Sequence, residues 1–332
     1  MDPLSQIRLT RELVDIDSTT PHETAAGQFL ARTLRGLGYE VVEQPVLDGR
    51  FNVIATVGRP EVVLSTHFDC VPPFFPSREE RGRLYGRGSC DAKGILVAQI
   101  AAVERLRAQG ETRVGLLFVV GEERGSEGAK AANLVAPGSR FLINGEPTDN
   151  RLAAATRGVY RARLKATGKA AHSSLPELGV SAIDKLVDAI VALRTVDWPA
   201  DADLGATFYS VSLINGGIAP NVIPPDADAE IMFRTIGSHE ALRRLIEAHA
   251  GSNVTVEDVL VVPPVRLTTI PGFETPTFSF TTDIPFLDRW GAPLLLGPGS
   301  VAVAHSDVEH VEIAELHRAV DLYEKLALHL LA

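Results

Sequence analysis

Five short acidic or histidine-bearing motifs follow one another along the chain. They are His67-Phe68-Asp69, Asp91 within Gly86-Arg87-Gly88-Ser89-Cys90-Asp91-Ala92-Lys93-Gly94, Glu122-Glu123, Glu146 within Asn144-Gly145-Glu146-Pro147-Thr148, and His305 within Ala304-His305-Ser306-Asp307-Val308-Glu309. Together they provide two imidazoles, three carboxylates for metal and one carboxylate to spare. That is the inventory of a two-metal hydrolase: a mixed nitrogen and oxygen ligand set holds the ions, and a separate carboxylate serves as general base.

Such a set needs elements that gather it. Residues 3–17 carry Leu4, Ile7, Leu9, Leu13, Val14 and Ile16 near helical spacing, and Thr20 or Pro21 opens a second helix that Gly36 and Gly38 stop. Strand-like runs follow at Tyr39–Val42, Phe51–Val57 and Glu61–Thr66, the last ending on His67. A helix is expected from about Ala92 to Ala108, with Ile95, Leu96, Ile100, Val103 and Leu106 on one side. Val114–Val120 and Arg140–Asn144 are apolar runs that end on Glu122-Glu123 and Glu146. Continuous apolar strands alternating with helices predict an α/β domain with a mostly parallel sheet covered on both faces. Ligands of such sheets bind beyond the carboxyl ends of the strands, where His67, Glu122, Glu123 and Glu146 all fall.

Near Thr156 the texture changes. Val159–Thr167 alternates, Ser181–Arg194 is helical, Phe208–Ile214 and Ala227–Arg234 are strand-like, Glu240–Ala250 is helical and Val254–Val262 strand-like. That order predicts an inserted α+β module of ferredoxin-like type. After Pro263-Pro264 the first texture returns, with strands at Thr277–Thr281 and Pro293–Leu296 and an amphipathic helix from Glu312 to Leu331. The expected division is a discontinuous domain of residues 1–157 and 264–332 with residues 158–263 inserted.

Each residue also has a plainer reading. His67 and Asp69 are two apart, which places them on one side of an extended segment, and Asp69 suits the task of fixing the His67 tautomer; a surface pair would look the same. Asp91 precedes a helix, where a carboxylate is also the ordinary cap. Glu122 and Glu123 are adjacent and cannot point the same way, so one can ligate while the other acts as acid and base. His22, His239, His249, His310, His317 and His329 lie on helices, helix edges or polar loops and are not expected to ligate.

With 332 residues the chain has room for two domains. Apolar residues make up 45% and charged residues 22%, which argues against disorder, and a formal charge of −10 disfavours a nucleic-acid surface. Cys70 and Cys90 are the two cysteines, so a disulfide scaffold is excluded and the thiols are expected to be small buried side chains. The opening residues show no basic region followed by an apolar core, and no apolar stretch approaches the ~20 residues needed to cross a bilayer. A soluble cytoplasmic protein is the expectation.

The motifs Ser65-Thr66-His67-Phe68-Asp69-Cys70-Val71-Pro72, Tyr85-Gly86-Arg87-Gly88-Ser89-Cys90-Asp91-Ala92-Lys93-Gly94 and Asn144-Gly145-Glu146-Pro147-Thr148 resemble those of co-catalytic zinc peptidases and deacylases. That family includes acetylornithine deacetylase, succinyl-diaminopimelate desuccinylase, aminoacylase and carboxypeptidase G. The resemblance implies a zinc-exopeptidase-like catalytic domain with an inserted lid and dimerisation domain. It implies that Asp91 bridges two divalent ions, zinc or else cobalt or manganese. His67 and Glu146 complete one site, Glu123 and His305 the other. Glu122 is the implied general base and Asp69 the residue orienting His67. His172 matches a histidine offered to the scissile carbonyl oxygen, and Arg157, Asn221 and Arg234 match positions that hold substrate carboxylate or carbonyl groups. Relatives run longer between the module and the final histidine; here only about forty residues, Val265 to Ala304, fill that space. Thr282-Asp283 retains a short family motif within it.

The expected activity is hydrolysis of the amide bond of an N-acyl amino acid, of N-acetyl-ornithine, -citrulline or -lysine type. A dipeptidase or carboxypeptidase using the same centre is the alternative, and a non-catalytic binding protein the third reading. The resemblance also implies a homodimer through the inserted domain; no nucleic-acid or membrane partner is expected.

Overall fold

The computed structural model describes residues 2–332. By density of contacts the chain divides into two compact units. The first comprises the chain up to Ala154, Leu267–Pro276 and Thr282–Ala332; the second comprises Ala155–Arg266 and Thr277–Thr281. In chain order the strands used below are β1 (Glu40–Pro45), β2 (Phe51–Thr56), β3 (Val62–His67), β4 (Val114–Val119), β5 (Phe141–Asn144), β6 (Gly158–Thr167), β7 (Phe208–Gly216), β8 (Asp226–Thr235), β9 (Thr255–Val262) and β10 (Ala292–Leu295). The helices are α1 (Pro3–Val14), α2 (Thr24–Gly36), α3 (Lys93–Ala108), α4 (Glu127–Ala132), α5 (Ala182–Leu193), α6 (His239–Ala250) and α7 (Ile313–Leu331).

The first unit is built on a six-stranded sheet in the order β1-β2-β4-β3-β5-β10. β4, β3, β5 and β10 run parallel, while the β1–β2 hairpin adds antiparallel strands at one edge. Every residue of β3 and β4 is buried, which is why β4 reads as a continuous apolar run and β3 opens on Val62-Val63-Leu64 rather than alternating. Completely burying a side chain such as Leu64 contributes roughly 1.5–3 kcal/mol. α3 is buried on nearly every side, since it contacts β3 and β4 as well as α1 and α7. A Cβ on Gly94 would stand 2.2 Å from the Ser89 carbonyl oxygen, so the start of α3 needs glycine for that approach.

The second unit carries an antiparallel sheet in the order β7-β8-β6-β9, with α5 and α6 packed on it. The chain order β6-α5-β7-β8-α6-β9 in that sheet order is the ferredoxin-like arrangement. Its core joins Tyr160, Leu164, Ile231 and Phe233 of the sheet to Leu186, Leu193, Leu242 and Ile246 of the helices.

One expected strand is placed differently. Of Thr277–Thr281 only Thr277–Phe278 is strand. It pairs with Ala155–Thr156 in a small three-stranded sheet completed by Val265–Arg266, not with the six-stranded sheet. Five residues of mixed character carry no signal of which backbone they will pair with. Cys70 and Cys90 are free and fully buried, as their small apolar character suggests. No helix among the described residues is long and apolar enough to cross a membrane.

Candidate metal centre

The parallel register places the motifs side by side. His67 is the last residue of β3, opposite Val119 of β4, and Glu122 and Glu123 lie just beyond that strand. Ser65 stands opposite Asn144 of β5, and Glu146 follows two residues later. Three neighbouring strands therefore deliver an imidazole and three carboxylates to one edge. Asp91 comes from the glycine-rich loop before α3, and His305 from the turn region that follows β10.

The atoms form two branches around Asp91. On one side, His67 Nε2 lies 3.0 Å from Asp91 Oδ1 and 3.9 Å from Glu146 Oε2. On the other, His305 Nε2 lies 3.3 Å from Asp91 Oδ2 and 3.0 Å from Glu123 Oε1. Each carboxylate oxygen of Asp91 thus faces its own imidazole. Single ligand atoms of His67, Asp91 and Glu123, one from each, also lie within 4.8 Å of one another. Asp91 does not cap α3: Ala92 holds the cap position without a side-chain bond, and the Asp91 carboxylate is spent on the two imidazoles.

Asp69 is fully buried and completely engaged. Its carboxylate accepts from Thr20 Oγ1 at 2.9 Å and from the backbone N–H groups of Glu122 and Glu123, each at 3.1 Å. His67 Nδ1 faces the Asp69 carbonyl at 3.1 Å and its carboxylate at 3.4 Å, which leaves Nε2 turned to Asp91. Asp69 therefore orients an imidazole and at the same time clamps the turn that carries both glutamates. Glu123 turns to His305, while the Glu122 carboxylate makes no side-chain hydrogen bond or ion pair among the described residues.

The electrostatics follow from crowding acids in a buried place. Burial, then Glu146, with Asp283 and Glu123 adding, pushes Glu122 well above the usual carboxylate range. Burial also drives Glu146 well up, with Asp91, Asp283 and Glu123 adding. His305 is raised to about 10 by its bonds to Asp91 and Glu123. For His67, burial opposes the charge, but Asp69 and Asp91 outweigh it and raise the ring well above its ordinary value. Asp91 is held low despite burial by His305 and His67. The cluster as a whole draws positive charge. The buried Glu146 Oε1 has no partner among the described residues. Two imidazole nitrogens, three carboxylates of which one is shared, and an open oxygen fit a pair of divalent cations.

His172, Asn221, Arg157 and Arg234 belong to the second unit. The chain there brings the His172 and Asn221 loops together: Ser173 N–H donates to the Asn221 carbonyl at 3.0 Å, and His172 bridges Val222. His172 is exposed, and its Nδ1 contacts Ser174 Oγ at 2.8 Å. Arg157 donates to the Ala206 carbonyl at 3.1 Å and stands over the Phe208 ring. Arg234 is half-buried on β8 without a side-chain hydrogen bond or ion pair among the described residues, and burial lowers its pKa.

Sequence reasoning gave no role to three residues of the centre. Thr20 reads only as a helix opener, whereas that helix begins at Thr24, and Glu309 only as the last residue of the His305 motif; both bond to the centre from distant points of the chain. Asp283 was visible only as part of Thr282-Asp283. It is buried, and burial, only partly offset by the neighbouring Ser126 hydroxyl, pushes it up to about 7.

Residues 63–329 match the description of Peptidase family M20/M25/M40. Among curated proteins, a probable carboxypeptidase of Aspergillus clavatus is 37% identical over 366 residues, spanning 95% of this chain and 80% of its own length. Among solved structures, aminopeptidase PepT from Bacillus cereus superposes with a TM-score of 0.83 at 20% identity, covering 100% of both chains. The YXEP protein of Bacillus subtilis, described as a dinuclear metal binding peptidase from the M20 family, gives a TM-score of 0.74 at 18% identity, covering 99% of this chain and 98% of its own. At such identities the structural likeness concerns the fold.

Proposed function

Because the chain belongs to peptidase family M20/M25/M40 and is thereby a hydrolase of amide bonds, we propose that it is a carboxypeptidase or dipeptidase that works with two divalent ions on small peptides. The observation that carries this reading is the two-branched donor set around Asp91, beside which the Glu122 carboxylate stays outside both branches. His67, Glu146 and one oxygen of Asp91 would hold one ion; Glu123, His305 and the other oxygen would hold the second. Zinc suits these donors best, with cobalt or manganese as substitutes. Bound there, the ions would polarise the scissile carbonyl and ease deprotonation of water. Glu122 takes the proton of the attacking water and returns it to the leaving amine. Asp69 keeps the His67 ring and the Glu122-Glu123 turn in register.

For His172 we keep the role of donor to the scissile carbonyl oxygen. Asn221, Arg157 and Arg234 are kept for substrate carboxylate or carbonyl groups. Arg234 suits this best, since its guanidinium is free of internal partners among the described residues, whereas Arg157 already serves Ala206 and Phe208.

The expectation of an N-acetyl-ornithine type substrate gives way here to a peptide. The curated relative is described as a probable carboxypeptidase, and none of the relatives reported above is described as a deacetylase. A panel of dipeptides and tripeptides against N-acetyl amino acids, scored for free amine after zinc or cobalt supply, decides between them. The peptides should be hydrolysed faster, and chelator should abolish all turnover. Faster hydrolysis of the acetylated amino acids by a fully metallated protein would return the reading to a deacylase.

A homodimer through the inserted module is part of the same proposal. β7 is an edge strand carrying exposed Leu213 and Ile214, and α5 of the same unit exposes Val187 and Val191. Exposed apolar surface and an unpaired edge favour a covering partner. Sedimentation should show a dimer at micromolar concentration that dissociates when Leu213 and Ile214 become lysine; a strict monomer in the wild type would end this part of the proposal.

A further inference from the structure

We infer that Glu309 is a positioning residue for the shared carboxylate, tying the loop that carries Asp91 to the loop that carries His305. The inference rests on the reading of Asp91 and His305 as ligands, but it concerns a residue that touches neither substrate nor ion.

Glu309 is fully buried, and one of its oxygens is surrounded by backbone donors. Oε1 accepts the N–H of Gly88 at 2.9 Å, of Asp91 at 3.1 Å and of Cys90 at 3.2 Å. Oε2 accepts from Arg87 Nη1 at 2.5 Å, and Arg87 is itself buried and anchored through Nε to the Pro73 carbonyl. The Glu309 carbonyl oxygen completes the tie by accepting the N–H of Gly86 at 3.2 Å. Convergent backbone N–H groups form an anion nest, which usually receives a phosphate or a cluster; here the chain supplies its own anion. Gly88, at φ +86°, takes the backbone conformation that this convergence needs and that other residues resist.

The consequence falls on Asp91. Its N–H is held by Glu309, while its Oδ2 lies 3.3 Å from the ring of His305, four residues before Glu309. Backbone and side chain of the shared carboxylate are thus referred to the same short stretch of chain. Without the Glu309 carboxylate, three N–H groups lose their acceptor and the Arg87 guanidinium loses its ion-pair partner in a buried place, and the loop must rearrange to satisfy them. The separation between Asp91 and His305 would then no longer be set.

The test uses full-length wild type, Glu309→Gln and Glu309→Ala, stripped of metal and titrated calorimetrically with zinc. Far-UV circular dichroism and thermal unfolding are recorded on each, and the absorption spectrum of the cobalt-loaded protein serves as a second readout. Glu309→Gln keeps the shape and one acceptor but sets an amide N–H against Arg87, so it should fold. Its affinity for at least one ion should fall about 10- to 100-fold, the usual effect of losing a partner behind a ligand, and its cobalt spectrum should change. Glu309→Ala should be affected more; if it does not fold, Glu309→Gln decides. A folded Glu309→Gln protein that binds both ions with wild-type affinity and an unchanged cobalt spectrum would leave Glu309 as a purely structural residue. A wild type that takes up no ion would instead sink the ligand assignment itself.

Discussion

Glu122→Gln should keep two bound ions and lose about 10²- to 10⁴-fold in turnover, the range associated with removing a general acid–base group. The two properties separate because Glu122 stands apart from both branches of the donor set. Glu123, its neighbour, is turned to His305, while the Glu122 carboxylate has no bond to any described side chain. Glutamine matches glutamate in size, and the backbone N–H of residue 122 will still donate to Asp69 Oδ1, so the turn should not move. What is lost is the ability to accept a proton from water and hand it on. KM should change much less than kcat, since the group acts in the transition state more than in binding. Steady-state kinetics with metal analysis on the same preparation checks this. Near-normal turnover in a fully metallated Glu122→Gln protein would remove Glu122 from the mechanism.

Asp91→Ala should abolish activity by a different route, through the loss of tight binding of both ions. Each other candidate ligand belongs to one branch; Asp91 belongs to both. Its removal takes an oxygen from each site together with the carboxylate that lies between His67 and His305. Losing a partner behind a ligand already costs about 10- to 100-fold in affinity, so a shared ligand should cost more than about 100-fold for each ion. Comparison with Glu146→Ala and His305→Ala, which should each weaken one ion more than the other, makes the test specific. Two ions retained by Asp91→Ala at wild-type affinity would show that the centre is not organised around this residue.

Much of the centre was legible in the chain for a structural reason. In a parallel sheet the carboxyl ends of neighbouring strands lie together, so an apolar run that stops on a histidine or glutamate announces where that side chain goes. β3, β4 and β5 are neighbours, and His67, Glu122, Glu123 and Glu146 follow from them directly. The inserted module was equally readable, because half-buried antiparallel strands alternate whereas the doubly covered ones do not. The strand expected over Thr277–Thr281 is only Thr277–Phe278, and its pairing with Ala155–Thr156 was not readable, since its length and composition carry no information about its partner.

Glu309 and Thr20 show where reading the chain stops. Their hydrogen bonds to the centre span 218 and 49 residues of sequence, and each depends on backbone N–H groups or a hydroxyl aimed by loops without periodicity. Hydrophobic periodicity and the order of motifs by themselves determined the α/β class and the set of candidate ligands, because these are properties of residue type and spacing. Which glutamate turns toward His305, which stays uncommitted, and what holds Asp91 in place were decided only in three dimensions. Those outcomes rest on directed hydrogen bonds, whose strength depends on angle and distance between segments far apart in the chain.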